Sequence, residues 1–246
     1  MHKQNKILIT GGLHGDEPTG VEVASYFLKN KLGVKGLVCN KKAITMHKRF
    51  TETDLNRSFK VKTPISYEER LAVVLSKTVY KYKIIIDIHN TRASGTTCAI
   101  VVNKPNNLQL MLAKYFGFNK LVVMPPSGSL ISLKPSSSIS IEVANDAVKK
   151  YSTKMIVDKI ANLPSFDVGK FNKEVIKTYT FVNKVLAVTL DNLGLTKDGF
   201  SNFKKLTNDQ ANRLGLDNAH YYPIFLKKDE NEDVSFTLVK EFDVKY

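Results

Sequence analysis

Residues 7–20 read "ILITGGLHGDEPTG": an apolar run from Ile7 to Thr10, two glycines, His14 and Glu17 three positions apart, then Pro-Thr-Gly. A buried strand that breaks on glycine and gives way to a helix-compatible stretch is how an α/β unit begins. Glu17 to Lys29 continues as a helix, with Val21, Ala24 and Leu28 expected on its inward face. His14 and Glu17 therefore sit at a strand-to-helix turn. There they either face water or supply half of a metal site.

The same alternation runs outward through the first two-thirds of the chain. Leu37–Met46 reads as one or two strands. Ser66 opens a helix, with Glu69 completing a capping box and Leu71, Val74, Leu75 and Val79 as the buried stripe. "KIIIDIH" (83–89) and "CAIVVN" (98–103) are strands. A helix near Leu108–Phe116, strands at Leu121–Met124 and Ile139–Val143, and a helix from Ala147 to Leu163 follow. Continuous apolar strands between amphipathic helices indicate an α/β sheet covered on both faces. After Pro164 the texture changes. "VIKTYTFV", "YYPIFL" and "SFTLVKEFDV" are strand-like, which divides the chain into an α/β domain, 1–164, and a small β-rich C-terminal domain, 165–246.

The 246 residues are 43% hydrophobic and 24% charged, the balance of an ordinary globular protein. No apolar run is long enough for a membrane helix, and the N-terminal apolar stretch is too short for a secretory signal. Cys39 and Cys98 lie in strand-like contexts, so free buried thiols and a cytoplasmic setting are expected. The net charge of +14 comes from lysines scattered without runs longer than a pair. This is a solvated basic surface that attracts small anions, with no motif for nucleic acid.

Three strand ends carry polar residues, where α/β proteins build their sites. They are His14 with Glu17, His89 in "IDIHN", and Glu142 within the apolar "SISIEV". Singly, a strand-end histidine caps a sheet as readily as it binds metal. Two histidines with a carboxylate form a catalytic zinc set that leaves one position open for water. Asp87, on the same strand face as His89, is placed either to orient the other histidine, His14, or to hold backbone amides. The loop "KRFTETDLNRSF" (48–59) adds Arg49, Asp54, Asn56 and Arg57; an Asn-Arg pair suits a substrate carboxylate.

Taken in order, "GGLHGDEPTG", "TDLNRSF", "IDIHNT" and "SISIEV" resemble the aspartoacylase and succinylglutamate desuccinylase family of zinc carboxypeptidase-like amidohydrolases. "YYPIF" is similar to that family's C-terminal domain. The resemblance implies a zinc-carboxypeptidase-like mixed sheet flanked by helices and Zn2+ bound by His14, Glu17 and His89. It also implies Glu142 as the base acting on zinc-bound water, Arg49 polarising the scissile carbonyl, and Asn56 with Arg57 holding the amino-acid carboxylate. The implied substrate is a small anionic N-acyl amino acid, on a chain that works alone or as a homo-oligomer.

The arginine that aspartoacylases place about ten residues before the catalytic glutamate falls on Ser132, and their late tyrosine falls near Asn231 and Glu232. Recognition of a second substrate carboxylate is therefore expected to be weak, with Arg92 and Lys134 the nearest cations. A peptide-cleaving zinc carboxypeptidase and a non-catalytic basic binding protein on the same fold are the competing readings.

Overall fold

The computed structural model describes residues 7–30, 33–165, 176–217, 220–226 and 234–242. Among these residues nine strands form one mixed sheet, in the order β2-β1-β3-β6-β4-β5-β7-β9-β8. In chain order they are β1 (Ile7–Gly11), β2 (Val34–Val38), β3 (Ile84–Thr91), β4 (Cys98–Val101), β5 (Lys120–Val123), β6 (Ser138–Ala144), β7 (Lys177–Leu186), β8 (Tyr221–Ile224) and β9 (Val234–Phe242). The helices are α1 (Pro18–Lys29), α2 (Lys41–Thr45), α3 (Tyr67–Val79), α4 (Asn107–Tyr115), α5 (Thr153–Asn162), α6 (Ala187–Asn192) and α7 (Asn208–Arg213).

Strands β2, β1, β3 and β6 run parallel, while β4 runs antiparallel to β6 and parallel to β5 and β7. The strand order departs from β1 in both directions, to β2 on one side and β3 on the other. Such a reversal opens a crevice at the carboxyl ends of the strands. His14 and His89 lie there.

Alternation along the strands splits the core in two. Ile84, Ile86 and Ile88 join Ile7, Ile9, Ile139, Ile141 and Val143 on one face, with Phe27 of α1 and Ile156 and Ile160 of α5. Ile85 joins Leu8, Cys98, Ile100, Val122 and Tyr179 on the other, covered by Ala72, Leu75 and Val79 of α3 and by Leu130 and Ile131. Each such buried side chain contributes about 1.5–3 kcal/mol relative to exposure. His89 and Asp87 share the face of Ile85.

The capping box of α3 forms as expected, Ser66 accepting from the Glu69 backbone N–H and Glu69 reaching back. Cys39 and Cys98 are free and buried. The β-rich C-terminal portion is present, and its strands continue the main sheet through β7 on β5.

Four local expectations are corrected. Helix α1 buries Thr19, Gly20, Val23, Ala24 and Phe27, and Leu28 is exposed. The cause is Gly20: a Cβ there would lie 2.3 Å from the Ile88 carbonyl oxygen, so the helix turns its bare glycine backbone to the sheet. Residues 41–45 are helical, not extended, because Asn40 caps them by accepting from the Ala43 N–H. Val74 of α3 is exposed, its place on the buried stripe taken by the smaller Ala72 and by Glu68. Finally, α5 begins at Thr153, capped by Ser152, rather than at Ala147, where there is one short 3-10 turn.

Candidate metal centre

Two contacts, one between main chains and one through the Asn90 side chain, fix the loop that carries His14 and Glu17. A Cβ on Gly11 would stand 1.9 Å from the Gly20 carbonyl oxygen, so β1, the first turn of α1 and β3 touch main chain to main chain. Asn90, just after His89, accepts from the Thr19 N–H at 2.9 Å and donates to the Thr19 hydroxyl at 3.0 Å. This ties the start of α1 to β3. Pro18 then starts the helix with Glu17 as its N-cap, an anion at the positive end of the helix dipole.

Glu17 does not cap with its side chain, because both oxygens are engaged by histidines. His14 Nδ1 lies 2.6 Å from Oε1 and His89 Nδ1 lies 2.7 Å from Oε2. All three side chains are buried, and their ligand-type atoms lie within 4.8 Å of one another. The opposite nitrogens are held as well. His14 Nε2 lies 3.0 Å from Asp54 Oδ1, and His89 Nε2 lies 2.8 Å from Asp87 Oδ2. The Thr10 hydroxyl in turn donates to Asp87 at 2.7 Å.

Asp87 thus orients its own strand neighbour His89 rather than His14. His14 already has Asp54, and Asp87 and His89 point the same way two residues apart. Each Nε2–H given to a carboxylate leaves Nδ1 as the nitrogen turned inward, the arrangement that metal-binding histidines adopt. Two imidazoles and one carboxylate are a donor set that fits a zinc-type ion.

The carboxylates and imidazoles polarise one another. Burial alone would raise the Glu17 carboxyl, but the two histidines outweigh it and hold it at about 2. Burial opposes charge on His89, yet Asp87, Glu17 and Glu142 hold it well above its ordinary 6.5; His14 is raised as well, by Asp54 and Glu17 against burial. A metal at this site therefore displaces protons.

The loop with Arg49, Asp54, Asn56 and Arg57 is built on a residue that the motifs do not single out. Glu68, enclosed on α3, accepts from the Thr51 N–H and hydroxyl, both at 2.7 Å, from the N–H groups of Glu52 and Thr53, and from Asn40. Burial pushes its carboxyl up, and these donors overcome that to hold it at about 2. Its one sequence signal is a glutamate on the apolar side of a capped helix.

Asp54 then caps the turn Leu55–Arg57, accepting from the Asn56 N–H, while its second oxygen meets Arg49 at 3.3 Å. Arg49 also approaches Glu17 at 3.8 Å, so its guanidinium lies over the cluster. Asn56 accepts from the Leu130 N–H at 3.0 Å, and Arg57 donates to the Asn56 carbonyl and is exposed.

Glu142 is on the strand beside His89, in register with it. Burial raises its carboxyl pKa, His89 partly opposes this, and Glu17 adds to it. Arg92 is 80% exposed and meets Asp16 at 3.4 Å. Lys134 donates to the Tyr82 carbonyl, at the end of β3 opposite His89, so the sequence expectation that it serves the site fails on geometry. Ser132 is buried against the Ser129 hydroxyl at 2.8 Å. Asn231 and Glu232 lie outside the described residues.

Residues 3–138 match the model of the succinylglutamate desuccinylase/aspartoacylase catalytic domain. The chain belongs to this family. A probable aspartoacylase of Trichodesmium erythraeum is 33% identical over 128 residues, 45% of this chain and 44% of that protein. An N-acyl-aromatic-L-amino acid amidohydrolase of Rattus norvegicus is 30% identical over 130 residues, 45% of this chain and 41% of that one. The matched stretch thus spans less than half the length of these two relatives. The succinylglutamate desuccinylase structure from Chromobacterium violaceum superposes with a TM-score of 0.79 at 16% identity, covering 99% of this chain and 86% of that one. The family member described here therefore has the family's fold, a mixed α/β sheet flanked by helices. Among its described residues no helix is long and apolar enough to cross a membrane.

Proposed function

We propose that this family member is a zinc-dependent deacylase that hydrolyses the amide bond of small N-acyl amino acids. The observation that carries the reading is the convergence of His14, Glu17 and His89, with Glu142 in register beside them. The names of the two relatives, an aspartoacylase and an N-acyl amino acid amidohydrolase, support the substrate class. Zinc, when bound by His14, Glu17 and His89, supplies Lewis-acid polarisation.

The remaining chemistry belongs to the chain. Glu142, with its pKa raised by burial, takes a proton from the attacking water as the water oxygen bonds to the amide carbon. Arg49 stabilises the negative charge that develops on the carbonyl oxygen. As the C–N bond breaks, Glu142 returns the proton to the departing nitrogen, leaving a carboxylate and a free amine. Asn56, whose amide donors are uncommitted among the described residues, and Arg57 hold the α-carboxylate. Arg92, paired with Asp16 at the surface, contributes at most to drawing anions toward the mouth.

The test is Glu142→Gln in zinc-loaded protein assayed on N-acetyl amino acids. Loss of base catalysis should lower kcat by ~10²–10⁴-fold, with fold and metal content intact. A glutamate with only a structural role would instead give a lower melting temperature and near-normal kcat.

A further inference from the structure

Strand pairing sets a row of side chains across the sheet at the edge that holds the cluster. His89 pairs with Glu142, and Glu142 with Cys98. Cys98 immediately precedes the Ala99–Leu121 pair, so its neighbour on β5 is Lys120, which pairs with Lys177 on β7. Val122, two residues after Lys120, is in the same core as Cys98 and Tyr179, whereas Leu121 is in the other. Lys120 therefore rises from the same face as His89 and Glu142, two strands beyond Glu142, or ~10 Å along the row.

Lys120 is only partly exposed, and among the described residues no carboxylate pairs with it. Its neighbour Lys177 has Glu241 at 4.0 Å; Lys120 has the face of the Phe203 ring, 4.1 Å from its Nζ. Burial, and to a lesser degree the Lys177 ammonium, work against its charge. The Cys98 thiol, on the strand between, feels both Glu142 and Lys120. An ammonium kept half-buried, with no counter-ion among the described residues, on the face of His89 and Glu142 is set to receive an anion.

We propose that Lys120 binds a second carboxylate of the substrate, making this a specificity-determining residue for dianionic N-acyl amino acids. This rests on the deacylase reading above. It also revises the expectation of weak second-carboxylate recognition, because the cation comes from β5 and not from the segment before Glu142. The second carboxylate belongs either to the acyl half or to the amino-acid half.

Calorimetric titration of the purified chain distinguishes these two sources. Succinate against butyrate probes the acyl half, and aspartate against asparagine the amino-acid half. In the wild type at least one dianionic member should bind about tenfold more tightly than its partner, the scale of one charge-assisted hydrogen bond. Lys120→Met and Lys120→Gln should erase that margin, leaving butyrate or asparagine binding unchanged, and Lys120→Arg should keep most of it. Lys134→Met, which removes a lysine at the opposite edge, should keep all of it. A wild type without a margin in either pair, or a folded Met or Gln variant that retains it, overturns the proposal. Failure of the deacylase reading looks different: no N-acyl amino acid is turned over, while the dicarboxylate margin persists.

Discussion

Asp87 shows how one carboxylate sets a neighbour's chemistry. It is anchored by Thr10 and takes the Nε2–H of His89, which turns Nδ1 toward Glu17. Asp87→Asn should weaken zinc affinity by ~10–100-fold, read by competition with a chelator, while His89→Ala should abolish loading of about one zinc per chain. Equal affinity in the Asn variant would remove Asp87 as a positioning residue. Protons compete for the same nitrogens. Because both histidine pKa values are raised, protons compete with zinc for these rings, and the apparent zinc affinity should already begin to fall on acidification at a pH above their ordinary 6.5. At this scale the strand-end positions of His14, Glu17, His89 and Glu142 were legible in the sequence, and the structure brings the first three together. Asp54 was readable as a polar member of the 48–59 loop, but its pairing with His14, and the place of Lys120 on the row of Cys98 and Glu142, were not. Their partners lie 40 residues away for His14 and across a strand order that no local pattern encodes.

Among the elements, α3 has a second use beyond covering the sheet. Its Glu68 organises residues 51–53, and hence the loop that carries Arg49, Asp54, Asn56 and Arg57. Glu68→Gln keeps the size but cannot accept as many N–H and O–H donors as a carboxylate. We expect a lower melting temperature near neutral pH and a raised KM. The sign with pH is fixed by the depressed pKa: stability from Glu68 is present above its ordinary 4.5 and is lost as pH falls through about 2. Denaturation at pH 7, 4.5 and 3 should therefore show the gap between wild type and variant closing below 4.5. A gap independent of pH would mean that packing, not charge, is what Glu68 contributes. The capping box of α3 was legible because both partners sit within four residues. The face of α1 was not, because Gly20 contacts the sheet while carrying no hydropathy signal, and α2 was missed because the cap of Asn40 outweighed an apolar run that reads as extended.

For the molecule as a whole, the pairing of β7 with β5 joins the C-terminal portion to the active sheet. Tyr179, Tyr222, Ile224 and Val239 share a core with Cys98, Val122 and Leu130. A chain ending at residue 164 would expose those side chains and leave β5 as a bare edge, so it should be insoluble or lose zinc binding. A soluble, zinc-loaded truncation would show that the two parts are independent. The contact of Gly11, Gly20 and the Ile88 carbonyl has a different kind of consequence. Because the main chains of Gly11, Gly20 and Ile88 meet directly, no side chain acts as a spacer at that contact between the ends of the loop carrying His14 and Glu17 and the strand carrying His89. Replacing Ile9 or Ile86 by valine leaves that span as it is, whereas one methyl group added at Gly20 forces it open. The coordination geometry is inherited with the path of the backbone and is insulated from drift in the side chains around it.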